Sequence, residues 1–224
     1  MRRMLFSVVY AGIALLVAAY AVSPTSAEVV PRPDDVIRFR ITNPGQALYK
    51  VAVPTILGDA QTGAVLQEVI SNDLAMAGFF KVLDPKSFVA DLTKEDLGIS
   101  LDPWKTVGAE SVVKGRVAAA GGDLSVEFRL FEVVRGENPS LTKNYRAPAG
   151  DVRKLGHLFA AELVRYFTGE DAFFATQIAF ARTQGKQQEL MVMDWDGAAV
   201  RSLTSNGSQN YLPSWHPSGS GLLY

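Results

Sequence analysis

The chain has 224 residues, 22 Lys and Arg against 23 Asp and Glu, and 48% hydrophobic residues, enough for one complete domain and part of a second. A net charge of −1 lacks the basic footprint that nucleic-acid binding needs. With no Cys, the chain has no disulfide scaffold, thiolate metal site or Cys lipidation.

At the start, Met1-Arg2-Arg3-Met4 is a positive segment and Leu5 to Val22 carries no charge. Ser23-Pro24-Thr25-Ser26-Ala27 then supplies a turn former and small residues. This order is that of a secretory signal peptide, with cleavage expected after Ala27. The uncharged run is also long enough for a membrane anchor, but Ala, Gly and Ser dilute it, and the processing site favours cleavage and an exported protein without membrane insertion. Removing residues 1–27 takes away two Arg and leaves the remainder slightly more acidic.

Residues 28–35 hold two Pro and mixed charges, which suits an exposed mobile arm. Val36-Ile37-Arg38-Phe39-Arg40-Ile41 alternates as a half-buried or edge strand does. Pro44-Gly45 marks a turn and Lys50 to Pro54 a more buried strand. From Thr62 the period becomes helical, with Val65, Leu66, Val69, Ile70, Leu74 and Ala77 on one stripe and Gly78 as the closing residue. Lys81 to Pro85 is a short strand, and Pro103-Trp104 opens a helical turn. Ser111 to Val117 and Leu124 to Val133 are strands on either side of Gly121-Gly122. Leu141 to Tyr145 follows the turn Gly136 to Pro139, and Asp151 is expected to cap a helix that carries Val152, Leu155, Leu158, Phe159, Leu163, Tyr166 and Phe167 and ends near Gly169. Residues 36–169 are therefore expected to form an α/β domain, a mixed sheet of about five strands with two main helices.

The remainder, residues 170–224, is all β. Gln177 to Ala181, Glu189 to Asp194 and Ala199 to Thr204 are strands, and Asp196-Gly197 supplies the residues a hairpin turn needs. Pro213-Ser214-Trp215-His216-Pro217-Ser218-Gly219 leads into Gly221-Leu222-Leu223-Tyr224, a further strand. One propeller blade handing over to the next has this pattern, and a lone blade cannot bury both faces. The sequence is accordingly expected to be truncated. Residues 36–169 should fold alone, whereas 170–224, with unpaired edges, should be poorly ordered or prone to aggregate.

Several residues invite a catalytic or metal-binding reading and are weighed against a structural one. His157 is placed on the polar side of its helix and His216 in a turn, both as solvated residues. Asp194-x-Asp196-Gly197 resembles the opening of a calcium loop, but the later ligands are missing and a hairpin turn is favoured. Trp195, Trp215 and Phe180 are expected to fill space between sheets rather than bind glycan. Glu95-Asp96 and Glu170-Asp171 are read as solvated turns, because sequence neighbours do not face one another. Pro217-Ser218-Gly219-Ser220-Gly221 fails the nucleophile-elbow pattern at its first position. No catalytic residue, cofactor or metal is expected.

Ordered succession adds a resemblance. The run Gly108-Ala109-Glu110-Ser111-Val112-Val113-Lys114-Gly115-Arg116-Val117, the helix end Leu163 to Gly169, Phe173-Phe174-Ala175-Thr176-Gln177-Ile178-Ala179-Phe180, then Asp194-Trp195-Asp196-Gly197 and Pro213-Ser214-Trp215 together resemble the TolB family, the periplasmic components of Tol-Pal systems. The family's usual Ser-Pro-Asp-Gly blade turn is replaced here by His216-Pro217-Ser218-Gly219. The resemblance implies an α/β amino-terminal domain followed by the first blade of a six-bladed β-propeller. It also implies a monomeric, non-enzymatic adaptor between the outer-membrane lipoprotein Pal and the inner-membrane protein TolA, serving outer-membrane integrity and invagination at division. TolA binding is assigned by resemblance to Val36, Ile37, Arg38, Phe39, Arg40 and Ile41; an edge strand of the first domain is the alternative. The competing functional class is another exported propeller, peptidase-associated or glycan-binding.

Overall fold

The computed structural model describes residues 48–224. The proposed cleavage site at Ala27, the arm at 28–35 and the TolA segment Val36 to Ile41 lie outside the described residues.

Strand β1 (Tyr49–Ala52) and the two-residue β2 (Leu57–Gly58) lead into helix α1 (Ala60–Met76). This helix begins two residues before the sequence-based start because the Asp59 carboxylate accepts the Thr62 N–H at 2.8 Å, a capping contact that satisfies one open helical donor. Strand β3 (Phe80–Val82) follows. Two short helices, α2 (Leu92–Glu95) and α3 (Leu101–Thr106), occupy the stretch without clear periodicity, and only the second was expected. Strands β4 (Ser111–Ala120), β5 (Asp123–Glu132) and β6 (Leu141–Pro148) form the meander, and helix α4 (Val152–Thr168) follows. Gly169, at φ 78°, closes α4 in the left-handed region that glycine enters without strain. Asp151 stands at the N-cap position but makes no side-chain capping bond, because residues 149–151 form a 3₁₀ turn that holds its backbone outside the extended capping conformation.

The main sheet has the order β3-β1-β4-β5-β6, with β2 beside β4. β1 pairs in parallel with β3 and β4, whereas β4–β5 and β5–β6 are antiparallel. Among the described residues the sheet is thus mixed and has six strands, the short β2 being the one that was not expected.

Strand periodicity of two sends alternate residues to opposite faces, and both faces are covered. Val51, Val113, Val126, Phe128 and Leu130 pack with Leu66, Ile70 and Leu74 of α1 and Leu155, Phe159 and Leu163 of α4. Their neighbours Ala52, Val112 and Phe131 turn the other way and enclose Trp104 of α3 with Ile99 and Val133. Phe128 stacks on Phe159 with centroids 4.4 Å apart, and Gly115 makes room for it: a Cβ there would lie 2.8 Å from the Phe128 ring. On the Trp104 face, Lys114 is buried and paired with Glu95, whose carboxylate also accepts the Trp104 indole N–H at 3.2 Å. Glu95 is therefore not a solvated turn residue, because a buried ammonium needs a buried partner. Glu170 and Asp171 are exposed as expected.

Beyond α4, β7 (Gln177–Gln184), β8 (Gln187–Asp194) and β9 (Arg201–Ser202) form an antiparallel sheet, and β10 (Ser214–Trp215) pairs with β11 (Leu222–Leu223). The β8–β9 connection is longer than a two-residue hairpin: Val192 pairs with Arg201, and the turn is held by the Gly197 N–H on the Asp194 carbonyl at 2.9 Å.

Candidate functional site

A buried polar constellation lies where α1, α4 and the end of β8 meet. Its formation depends on Gly156. A Cβ at that position would sit 2.8 Å from Val69 Cγ1, so glycine lets α4 approach α1 closely enough for the next residue, His157, to reach Asp73. The His157 Nδ1 lies 2.7 Å from an Asp73 carboxylate oxygen. The second Asp73 oxygen accepts the Trp195 indole N–H at 3.1 Å. Asp73 is wholly buried, and that burial raises its carboxyl pKa above the ordinary range, the contacts from His157 and Trp195 opposing the rise.

Arg153 stands one turn before His157 on α4, on the same face. Its Nε donates to Asp194 at 3.2 Å and its Nη2 to Asp196. Burial disfavours the Arg153 cation, but the hydrogen bonds to Asp196 and Asp194 outweigh it and raise its pKa. Burial likewise works against the Asp196 carboxylate, yet the Ala198 N–H and Arg153 hold its pKa below the usual value. The Trp195 ring packs against Phe174 and Phe173, with centroids 5.0 and 5.2 Å away.

Beside these groups is a cleft of about 470 Å³ lined by Arg153, His157, Phe174, Gln177, Asp194 and Arg201, among others. Donor atoms of His157, Asp194 and Asp196 lie within 4.8 Å of one another. His157 Nε2 is buried without a hydrogen-bond partner, 3.9 Å from an Asp194 oxygen.

The solvated placement of His157 is thus overturned: the residue is 2% exposed, because α1 covers the side of α4 that looks polar from α4 alone. Asp194 and Asp196 belong to a turn, as expected, but one fastened to the preceding helix. Trp195 fills space between elements, whereas Trp215 is 40% exposed. His216 is exposed, its Nδ1 lying 2.7 Å from the Ser218 hydroxyl within one turn. Asp73 and Arg153 escaped the sequence reading. The available signal was an acidic residue on the stripe that Leu66, Val69 and Ile70 define, together with a cation four residues before a histidine.

Residues 37–138 match the family described as the TolB amino-terminal domain. The chain therefore carries a TolB amino-terminal domain. The similarity to curated TolB-family proteins runs past that domain. Tol-Pal system protein TolB of Anaeromyxobacter dehalogenans strain 2CP-C is 34% identical over 94% of this chain and 49% of its own length. The protein of the same name from Geobacter sulfurreducens is 32% identical over 93% of this chain and 49% of its own. The chain thus spans about half the length of the curated TolB relatives it matches. Among solved structures, TolB from Acinetobacter baumannii superposes with a TM-score of 0.65 at 20% identity, over 79% of this chain and 43% of that one. At that identity the likeness speaks for the fold.

Proposed function

We propose that the chain is part of a periplasmic Tol-Pal adaptor, a protein that binds proteins and catalyses nothing. The carrying observation is a similarity that extends over 94% of the chain, across the α/β domain and the sheets after it, to a protein named Tol-Pal system protein TolB. In this reading residues 1–27 are a signal peptide, 28–35 an arm, 36–169 the α/β domain and 170–224 the opening strands of a six-bladed β-propeller. The partners are the lipoprotein Pal and the inner-membrane protein TolA. Val36 to Ile41 contact TolA, adding an extended segment to a partner's sheet edge, where backbone bonds supply affinity and alternate side chains specificity. The anchoring of β8 to α4 through Arg153 and Trp195 supports the reading, since an adaptor that links two partners needs its parts held in a defined geometry.

A pull-down from periplasmic extract with the complete, signal-cleaved protein, followed by mass spectrometry, tests the proposal. Recovery of Pal and TolA is expected, with TolA lost when residues 28–41 are deleted. Recovery of neither, with hydrolysis of peptides, would assign the protein to the exported propeller hydrolases. Retained TolA binding after the deletion would reduce Val36 to Ile41 to an edge strand.

A further inference from the structure

We propose that His157, Asp194 and Asp196 form a divalent metal site of the zinc class, closed in this structure by the Arg153 guanidinium. Three observations converge on it. The donor atoms of the three residues already lie within 4.8 Å of one another. Tetrahedral zinc with ligand bonds of 2.0–2.2 Å needs donors about 3.4 Å apart, so contraction by at most about 1.4 Å completes the set. In the proposed site the Asp73 carboxylate, 2.7 Å from His157 Nδ1, accepts the N–H of that nitrogen, so the Nε2 lone pair is left for a metal. A carboxylate behind a histidine in this manner orients metal-ligating imidazoles and raises their basicity. Finally, Nε2 is buried with no hydrogen-bond partner and lies 3.9 Å from an Asp194 carboxylate oxygen. An acceptor lone pair directed at an anion is unfavourable, and a cation between them resolves it.

Arg153 is the internal competitor. Its single charge offsets only half of the charge on Asp194 and Asp196, to which it offers five possible donors, and it leaves Nε2 unpartnered. A dication satisfies all three groups and frees Arg153 to turn into the adjoining cleft of about 470 Å³. Lys154 and Arg201 also line that cleft. Both are exposed, so water and salt screen their opposition to a cation. The ligand set, one imidazole and two carboxylates with a fourth position open to the cleft, suits zinc rather than calcium, which takes six or more oxygens.

The test is titration of the tag-free full chain with Zn²⁺ alone near neutral pH, by calorimetry and by tryptophan emission, to which Trp195 contributes with its indole nitrogen 3.3 Å from His157 Nδ1. One-to-one binding is expected, tightened about tenfold or more by Arg153→Met and lost in Arg153→Met combined with His157→Gln. Absence of saturable binding by folded Arg153→Met overturns the site, as does binding that His157→Gln leaves unchanged. Should Arg153→Met not fold, Asp196→Asn in the otherwise unaltered chain carries the decision: weakening of Zn²⁺ binding by about tenfold sustains the site, and unaltered affinity rejects it. The result does not depend on the adaptor reading, because no partner protein is present.

Discussion

The two larger sheets among the described residues meet the same physical demand in opposite ways. The mixed sheet β1 to β6 is covered on one face by α1 and α4 and on the other by the segment around Trp104, so Val51 and Ala52, or Leu130 and Phe131, are buried on opposite sides. The sheet β7 to β9 buries little of its own: in β7 no residue is fully covered, and in β8 only Leu190, Met191 and Val192 are. It is attached to the first region at one end of its middle strand, through the Arg153 and Trp195 contacts where β8 finishes. A sheet with two covered faces draws stability from packing around it, whereas one with open faces depends on the element it leans against.

The largest test of this contrast is truncation within each region. Phe159→Ala removes a fully buried ring stacked on Phe128 and should cost about 3–5 kcal/mol. Ile178→Ala, at a residue 42% exposed in β7, should cost about 0.5 kcal/mol or less. Chemical denaturation of both variants reads the difference, and equal losses would mean that β7 is packed as tightly as the mixed sheet. An intermediate effect is expected at the junction. Trp195→Ala removes the ring contacts with Phe173 and Phe174 and the bond to buried Asp73, a loss of about 1–3 kcal/mol. Limited proteolysis should then cut first within residues 177–224 while 48–169 survives. Simultaneous degradation of both regions would show that they unfold as one unit.

The smallest effect concerns alkaline pH. Burial, with the Glu162 charge second, pushes the Tyr145 phenol up to about 12. Tyr49 and Tyr166 are raised as well, by burial first and by Glu132 second. A phenol with a raised folded pKa contributes its full stability below the unfolded value near 10 and loses it as pH climbs through the folded value. All three lie in the first region, so stability should fall between about pH 10 and 12, with loss of near-ultraviolet signal from the mixed sheet. Tyr145→Phe should flatten that fall, and an unchanged pH profile would remove Tyr145 from the account.

Much of this architecture was legible in the chain. The stripe Leu66, Val69, Ile70, Leu74 specified α1, the alternation Leu124, Val126, Phe128, Leu130 specified β5, and Gly169 marked the end of α4, because these patterns express local geometry that any packing must respect. The short helices α2 and α3 were less legible, since elements of four and six residues are too brief to establish a period. The polar constellation was not legible as a unit. Asp73 and His157 are separated by 84 positions and Asp73 and Trp195 by 122, and no local spacing encodes such meetings.

The sequence by itself determined the α/β-then-β order, the helix faces and the resemblance to TolB proteins. Tertiary structure alone decided which polar residues would be buried. Whether His157 faces water or Asp73 depends on how closely α4 lies on α1, a distance set by Gly156 against Val69. Whether Glu95 is solvated depends on where Lys114 and Trp104 bring their nitrogens. Burial is a property of surfaces in contact, and those surfaces come from segments that the chain order keeps apart.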